Sequence, residues 1–144
     1  MGETKIKLFV EKSLELSDLH HFWDNDSKVT FKKELDDGFD ISIEDNGHII
    51  TIATDNGYHT HIEIEDYESH KQALSQSFCL TRDMLSNNMR IRVVFRKNRP
   101  TRWILEHFDG STWIEDDTVY VLILDIFSKK TEKIYINNIL PSRE

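Results

Sequence analysis

The chain contains few residues of the kinds that mark special structural classes. Its 144 residues include one cysteine, two prolines and five glycines. Because Cys79 has no second cysteine to pair with, an intramolecular disulfide is excluded, which is typical of a reducing compartment. The scarcity of Gly and Pro argues against a flexible linker or a low-complexity tail. Long hydrophobic runs are missing too: the longest, VYVLIL at 119–124, is far shorter than the roughly 20 residues that cross a bilayer.

A hydrophobic fraction of 38% is typical of a globular protein, and the length predicts a single domain over residues 1–144. The N-terminal segment lacks the long apolar core of a secretory signal, so we expect a cytoplasmic protein. The sequence has no phosphate-binding Gly loop, no zinc-type cysteine pair and no serine elbow. No cofactor is therefore expected.

Acidic residues outnumber basic ones by 26 to 18, so the formal net charge is −8. A negative surface keeps a protein soluble and opposes binding to nucleic-acid backbone or to an anionic membrane. We therefore expect no membrane association and regard nucleic acid as an unfavourable partner. The same charge favours a protein partner, because complementary charge steers association.

The middle of the chain alternates apolar and polar residues, which is the pattern of antiparallel strands. Between 28 and 65 the alternation is interrupted by three turn signals, Asp37-Gly38, Asn46-Gly47 and Asn56-Gly57. Such dipeptides are typical of hairpins because Gly accepts a positive φ. The pattern predicts a meander of four strands at about 28–35, 39–44, 48–54 and 58–65.

The first turn also predicts a register. A three-residue loop at 36–38, closed by a Gly bulge, places Phe31 opposite Ile43 and Leu35 opposite Phe39. The apolar residues of both strands then share one face, whereas a two-residue loop would separate them.

The second and third turns are coupled, because one of them must carry an extra residue if all the strands share a single core face. Placing that residue in the third turn gives the better core. Ile50 and Ile52 then join Ile62 and Ile64.

The remaining segments complete an α+β pattern. Residues 5–10 are compatible with a strand or a helix, and Ser17 is a candidate cap for a short helix through Trp23. Helical spacing predicts one long helix at about 66–87, with Tyr67, Leu74, Phe78 and Leu85 on the sheet. Further strands are predicted at 89–96, 102–108, 113–115, 118–127 and 133–137, with the apolar run in a central strand. We expect a curved, mostly antiparallel sheet packed by the long helix and a short N-terminal one.

His59, His61 and Glu63 are the first candidate site. Alternate residues of a strand share a face, with side chains roughly 7 Å apart, a spacing that can chelate one metal ion. Both predicted turn geometries direct these side chains away from Ile62 and Ile64. If the third turn carries the extra residue, their neighbours are Asp40, Ser42, Glu44 and Thr51. The site would be a metal centre; the simpler interpretation is histidines that face solvent.

The second candidate is a basic segment, RIRVVFRKNRPTR at 90–102. Guanidinium groups match the oxygens of phosphate and carboxylate, so the arginines could bind an anion or an acidic partner. The alternative is that they pair with carboxylates of the same chain. The candidate residues are Arg90, Arg92, Arg96, Arg99 and Arg102.

Two single residues carry weaker signals. Asp125 interrupts an apolar strand and needs a partner there, for which Arg102 or an arginine of 90–96 is a candidate. Cys79 lies in the predicted helix without a visible activating base, so we expect an inert, partly buried thiol.

The leading functional hypothesis is a non-enzymatic, acidic, cytoplasmic binding protein, in the manner of an inhibitor or of an antitoxin or immunity protein, that binds a protein partner through charge. The alternative is a small-ligand-binding protein or a metal-dependent enzyme. Its site would be the concave face of the sheet under the helix, or the face that carries His59, His61 and Glu63. A homodimer, with the arginine strand against an acidic strand of a second copy, is a third interpretation.

Overall fold

The structure of the protein is a computed structural model that describes residues 4–121 and 127–141. The predicted α+β class, with antiparallel strands packed by a long helix, is confirmed, and the strands are divided between two sheets. The elements are α1 (Lys5–Lys12), α2 (Leu14–Ser17), β1 (His21–Asn25), β2 (Lys28–Phe31), β3 (Ile41–Asp45), β4 (Ile49–Thr54), β5 (His59–Glu63), a 3₁₀ turn (Ile64–Asp66), α3 (His70–Leu85), β6 (Met89–Arg96), β7 (Arg99–Phe108), β8 (Trp113–Tyr120) and β9 (Lys130–Ile136).

Each sheet buries one face in a shared core. The five-stranded sheet has the order β1-β2-β3-β4-β5, and the four-stranded sheet has the order β8-β7-β6-β9. Their inner residues join the buried face of α3 in a single apolar cluster. Leu74, Phe78 and Leu85 supply the helix side of this cluster, as the helical spacing predicts.

The first hairpin of the meander keeps the predicted core face but not the predicted register. Phe31 lies opposite Ile41 instead of Ile43, a shift of two residues, which leaves the side chains of the paired strands on their expected side. Leu35, predicted to face the core opposite Phe39, is the exception. The connection is longer than a bulged turn because the side chain of Asp40 accepts a 2.8 Å hydrogen bond from the backbone N–H of Lys33. Leu35 consequently faces solvent at 48% exposure and has no partner strand.

The third turn contains the extra residue, as predicted. The backbone N–H of Thr54 donates to the carbonyl of Tyr58 across a three-residue loop, and Ile50 lies opposite Ile62. Gly57 has a φ of +110°, and a Cβ at this position would lie 2.8 Å from the indole nitrogen of Trp103. Conformation and space therefore both require glycine here.

The N-terminal segment is helical over Lys5–Lys12, which resolves the strand-or-helix alternative. The predicted helix from Ser17 to Trp23 is wrong. Ser13 instead caps the short α2 by accepting a 3.1 Å hydrogen bond from the N–H of Leu16. The residues that follow form β1, which pairs with β2 and adds a fifth strand to the meander.

Helix α3 begins at His70, four residues later than predicted, because Ser69 supplies its cap. The Oγ of Ser69 accepts a hydrogen bond from the N–H of Gln72. Cys79 is exposed, so the expectation of a partly buried thiol is wrong.

The segment at 113–121 also differs from expectation. A single strand, β8, joins the predicted strand 113–115 to the described start of the predicted strand 118–127, and a bulge separates the pairs Leu105–Asp117 and Glu106–Glu115. Within the described residues, β8 ends the order of its sheet and Tyr120 is 71% exposed, so this part of the apolar run is not central. Asp125 lies outside the described residues.

Polar contacts join segments of the two sheets. The buried Asn137, which follows β9, accepts from the N–H of Phe39 and donates to the carbonyls of Phe39 and Met84. Tyr58 donates from its hydroxyl to Asp117 at 2.8 Å, and Trp103 donates to the carbonyl of Asn56. None of the described helices has the length and apolar character needed to cross a membrane.

Candidate binding surfaces

The candidate metal residues lie on the outer face of the five-stranded sheet, near its β5 edge. His59, His61 and Glu63 are exposed and alternate with the partly buried Thr60 and Ile62. The two imidazole rings are neighbours, with centroids 5.5 Å apart. Their orientation away from the core agrees with the sequence prediction.

The imidazole of His61 contacts a hydroxyl. Its Nδ1 lies 3.0 Å from Oγ1 of Thr51, the residue directly opposite on β4. Within residues 4–121 and 127–141, no group of three or more His, Cys, Asp or Glu side chains is arranged to hold a metal ion. Metal binding by His59, His61 and Glu63 therefore stays a prediction without a described third ligand.

The arginine strand β6 faces carboxylates of its own chain. Glu106, on β7, is 5% exposed. Its Oε1 accepts a 2.8 Å hydrogen bond from Nε of Arg90, and its Oε2 lies 3.3 Å from Nη2 of Arg92. The second Nη of Arg92 donates to Glu132 on β9 at 3.0 Å. Glu106, Arg90, Arg92 and Glu132 are here called the charge network.

The charge network keeps its arginines cationic. Burial alone would lower the pKa of Arg92, but hydrogen bonds from its guanidinium to Glu106 and Glu132, and their charges, outweigh burial and raise that pKa. The guanidinium groups of Arg90 and Arg92 are therefore engaged within the chain, which corresponds to the internal-pairing alternative for this pair.

The other candidate arginines are dispersed. Arg96 donates to the carbonyl of Ser128, while Arg99 lies opposite Arg96 at the tight turn between β6 and β7. Arg102 is exposed and lies opposite Tyr120. The five arginines thus do not converge on one anion-sized site.

A surface not identified from the sequence lies at the end of the β7–β8 hairpin. It combines apolar and acidic residues, and is here called the hairpin surface: Phe108, Asp109, Trp113, Ile114, Glu115 and Asp116. Phe108 and Ile114 are each 40% exposed. The rings of Phe108 and Trp113 are 5.3 Å apart, and the guanidinium of Arg90 lies 4.2 Å from the centre of the Trp113 ring. Arg90 of the charge network thus packs against the aromatic pair.

The acidic groups of the hairpin surface are held by local hydrogen bonds. Asp109 accepts from the backbone N–H groups of Thr112 and Ser111, which lower the pKa of its carboxyl. Both carboxylate oxygens of Asp116 lie 2.8 Å from Nδ1 of His107. The negative charge of this surface is therefore positioned as well as exposed.

One signal in the sequence could have revealed this surface. Trp113 and Ile114 are adjacent, so strand alternation sends them to opposite faces. Acidic residues follow directly at 115–117. A strand that begins with apolar residues on both faces and continues with charged ones is typical of a position at the edge of a sheet.

Comparison with protein-family models, with curated proteins and with solved structures gives no match to this chain. The fold and its surfaces define an α+β protein of two antiparallel sheets and one long helix. Functional inference therefore rests on the chemistry of the described surfaces.

Proposed function

We propose that the chain is a non-enzymatic, cytoplasmic protein that binds a basic partner protein through the hairpin surface, in the manner of an inhibitor or of an antitoxin or immunity protein. One observation carries this proposal. Phe108 and Ile114 are both exposed at the end of one hairpin, on opposite faces of its strands, and the exposed Glu115 and Asp116 follow Ile114 directly.

Electrostatics supports a basic partner. The formal net charge of −8 attracts cationic surfaces over roughly 10 Å at 0.1 M salt. The acids of the hairpin surface would then define where the partner docks, because charge complementarity fixes orientation as well as association rate.

The apolar component supports a protein partner over a simple cation. Aromatic residues and arginine are enriched among the residues that dominate binding energy. Trp113 is held in place by Phe108 and by Arg90, so little side-chain entropy is lost when it is covered.

The test compares three forms of the full chain. The wild type, the pair Glu115→Lys with Asp116→Lys, and the pair Glu34→Lys with Asp36→Lys are immobilised and exposed to lysate of the source cells in low salt. Glu34 and Asp36 are exposed residues of the connection between β2 and β3, so the control pair makes the same change in net charge elsewhere. Captured proteins are then purified and their affinities measured directly.

The proposal predicts a basic protein that the wild type and the control pair bind, and that the hairpin pair binds at least tenfold more weakly. Its affinity should fall with rising salt. A further variant, Ile114→Ser, should weaken binding without changing the salt dependence. The proposal is wrong if the hairpin pair and the control pair bind equally, or if no basic protein binds in low salt.

A further inference from the structure

We propose that the groove between α1 and the start of α3 binds a free, single-chain carboxylate amphiphile of the fatty-acid type. The groove has a volume of about 410 Å³, within the usual range for small-molecule sites. Its lining combines an apolar floor with cationic side chains: Lys5, Leu8, Phe9, Lys12, Ser69, His70, Lys71 and Leu74. It shares no residue with the hairpin surface and does not rest on the proposed function.

Helix α1 has two faces, one toward the core and one toward the groove. Ile6 and Val10 are buried in the core. Lys5, Leu8 and Lys12 follow at i, i+3 and i+7, so they share the face toward the groove. The two lysines are separated by about 10 Å along the helix axis, with apolar side chains between them. Charge at the ends and an apolar centre suit an amphiphile.

The floor of the groove is rigid. Leu74 of α3 is 2% exposed, and Phe9 is stacked on Phe78 with ring centroids 4.9 Å apart. Leu8, on the wall, is 39% exposed. An alkyl chain lying on this floor would cover apolar surface that water now contacts, at a gain of roughly fourfold in affinity for each buried methylene.

The charge around the groove selects an anion. No acidic residue lines it, and Lys5, Lys12 and Lys71 form no ion pair within the part of the chain that the structure describes. The groove is therefore positively charged, although the net charge of the protein is −8.

Two neighbouring features reinforce this selection. The first turn of α3, which borders the groove, contains no acidic residue, so the positive end of the helix dipole is not offset there. Asp45, a buried carboxylate beside the groove, is 2.5 Å from Nε2 of His70 and is thereby engaged.

The chemistry favours a carboxylate on a monomeric ligand. No guanidinium fork lines the groove, so its anion contacts are lysine point charges, and the single charge of a carboxylate needs fewer of them than a phosphate does. The recess lies between two helices and has a volume of about 410 Å³, which suits one alkyl chain better than the surface of a bilayer.

The test is calorimetric titration of the full chain with dodecanoate below its micelle concentration. Decanoate and hexanoate test the contribution of chain length, dodecyltrimethylammonium tests the sign of the charge, and vesicles of anionic phospholipid test a membrane surface. The variants are Lys12→Gln with Lys71→Gln, Leu8→Ala, and the matched control Lys129→Gln with Lys130→Gln, two exposed lysines distant in sequence. Circular dichroism verifies that each variant is folded.

Dodecanoate should bind about fifteenfold more tightly than decanoate, because it buries two more methylenes, and the cationic amphiphile should not bind. The groove pair should weaken dodecanoate binding by about two- to thirtyfold, and Leu8→Ala should weaken it too, while the control pair leaves it unchanged. The inference is overturned if dodecanoate does not bind, if the groove pair binds it as the wild type does, if the cationic amphiphile binds equally well, or if only vesicles bind.

Discussion

The outer faces of the two sheets use opposite chemistry to cover their strands. On the outer face of the five-stranded sheet, Ser42 lies opposite Ala53, and Thr51 lies between the exposed Glu44 and His61. On the four-stranded sheet the corresponding positions carry the charge network, in which Glu106 is almost completely buried. One face contacts water directly, whereas the other satisfies its charges internally.

This difference shows what each face contributes. Removing a polar side chain from the outer face of the five-stranded sheet leaves only solvent-exposed partners. Water can take the place of the lost hydrogen bond at little cost. Removing Glu106 leaves two half-buried guanidinium groups without their shared carboxylate, and an uncompensated buried charge is expensive. The free energy of unfolding should therefore depend strongly on the charge network and weakly on the outer face of the five-stranded sheet, which carries His59 and His61.

The largest expected effect is that of Glu106→Ala. We expect the free energy of unfolding to fall by about 3 kcal/mol, measured by urea denaturation at pH 7. The matched control is Glu44→Ala, since Glu44 is an exposed glutamate on the outer face of the other sheet. Its effect should stay within about 0.5 kcal/mol. Equal effects of the two substitutions would remove the contrast between the faces.

A smaller effect is expected from Arg92→Lys, which keeps the charge but removes the fork. Arg92 reaches Glu106 and Glu132 with different nitrogens, and one ammonium cannot reproduce that geometry. We expect a loss of about 1.5 kcal/mol. Arg102→Lys, on an exposed arginine of the neighbouring strand, should be nearly neutral. A neutral Arg92→Lys would mean that the network acts through charge alone.

The sequence predicted the core faces better than the registers. Alternation places Ile50 and Ile52 on one side whichever pairing is formed, because a shift of two residues leaves the face unchanged. The register of the first hairpin depends on Asp40 binding the backbone of Lys33, and on Asn137 binding Phe39 from 98 residues away. Local patterns contain no information on the second contact.

Candidate sites were less predictable than the fold, for a similar reason. The orientation of His59 and His61 follows from alternation alone. The pairing of Arg90 and Arg92 with Glu106 requires knowing that β6 and β7 are neighbours and in which register. The groove was not found because it combines α1 with the start of α3, and the sequence left the state of residues 5–10 open between strand and helix.

Asp40→Asn tests the contribution of one carboxylate beside the five-stranded sheet, directly before β3. Burial by itself raises the pKa of Asp40, but hydrogen bonds from Lys32 and the backbone of Lys33 outweigh it, and the folded pKa is lowered. The stabilisation is therefore present above the unfolded pKa of about 3.9 and is lost as pH falls through the folded pKa. At pH 7 the variant should lose about 1 kcal/mol, and below pH 4 the difference should shrink. A difference independent of pH would exclude the carboxylate as its cause.

The smallest effect is expected from the pair His59→Ala with His61→Ala. Both imidazoles are exposed and only His61 has a described hydrogen bond, to Thr51, so the free energy of unfolding should change by less than about 0.5 kcal/mol. The wild type, purified without chelator, should contain far less than one equivalent of zinc by elemental analysis, and added zinc should not raise its melting temperature. Near-stoichiometric zinc that is lost in the paired variant would make this face a metal site. The paired variant would then lose more free energy of unfolding than the histidines alone explain, because zinc that binds only the folded state stabilises it.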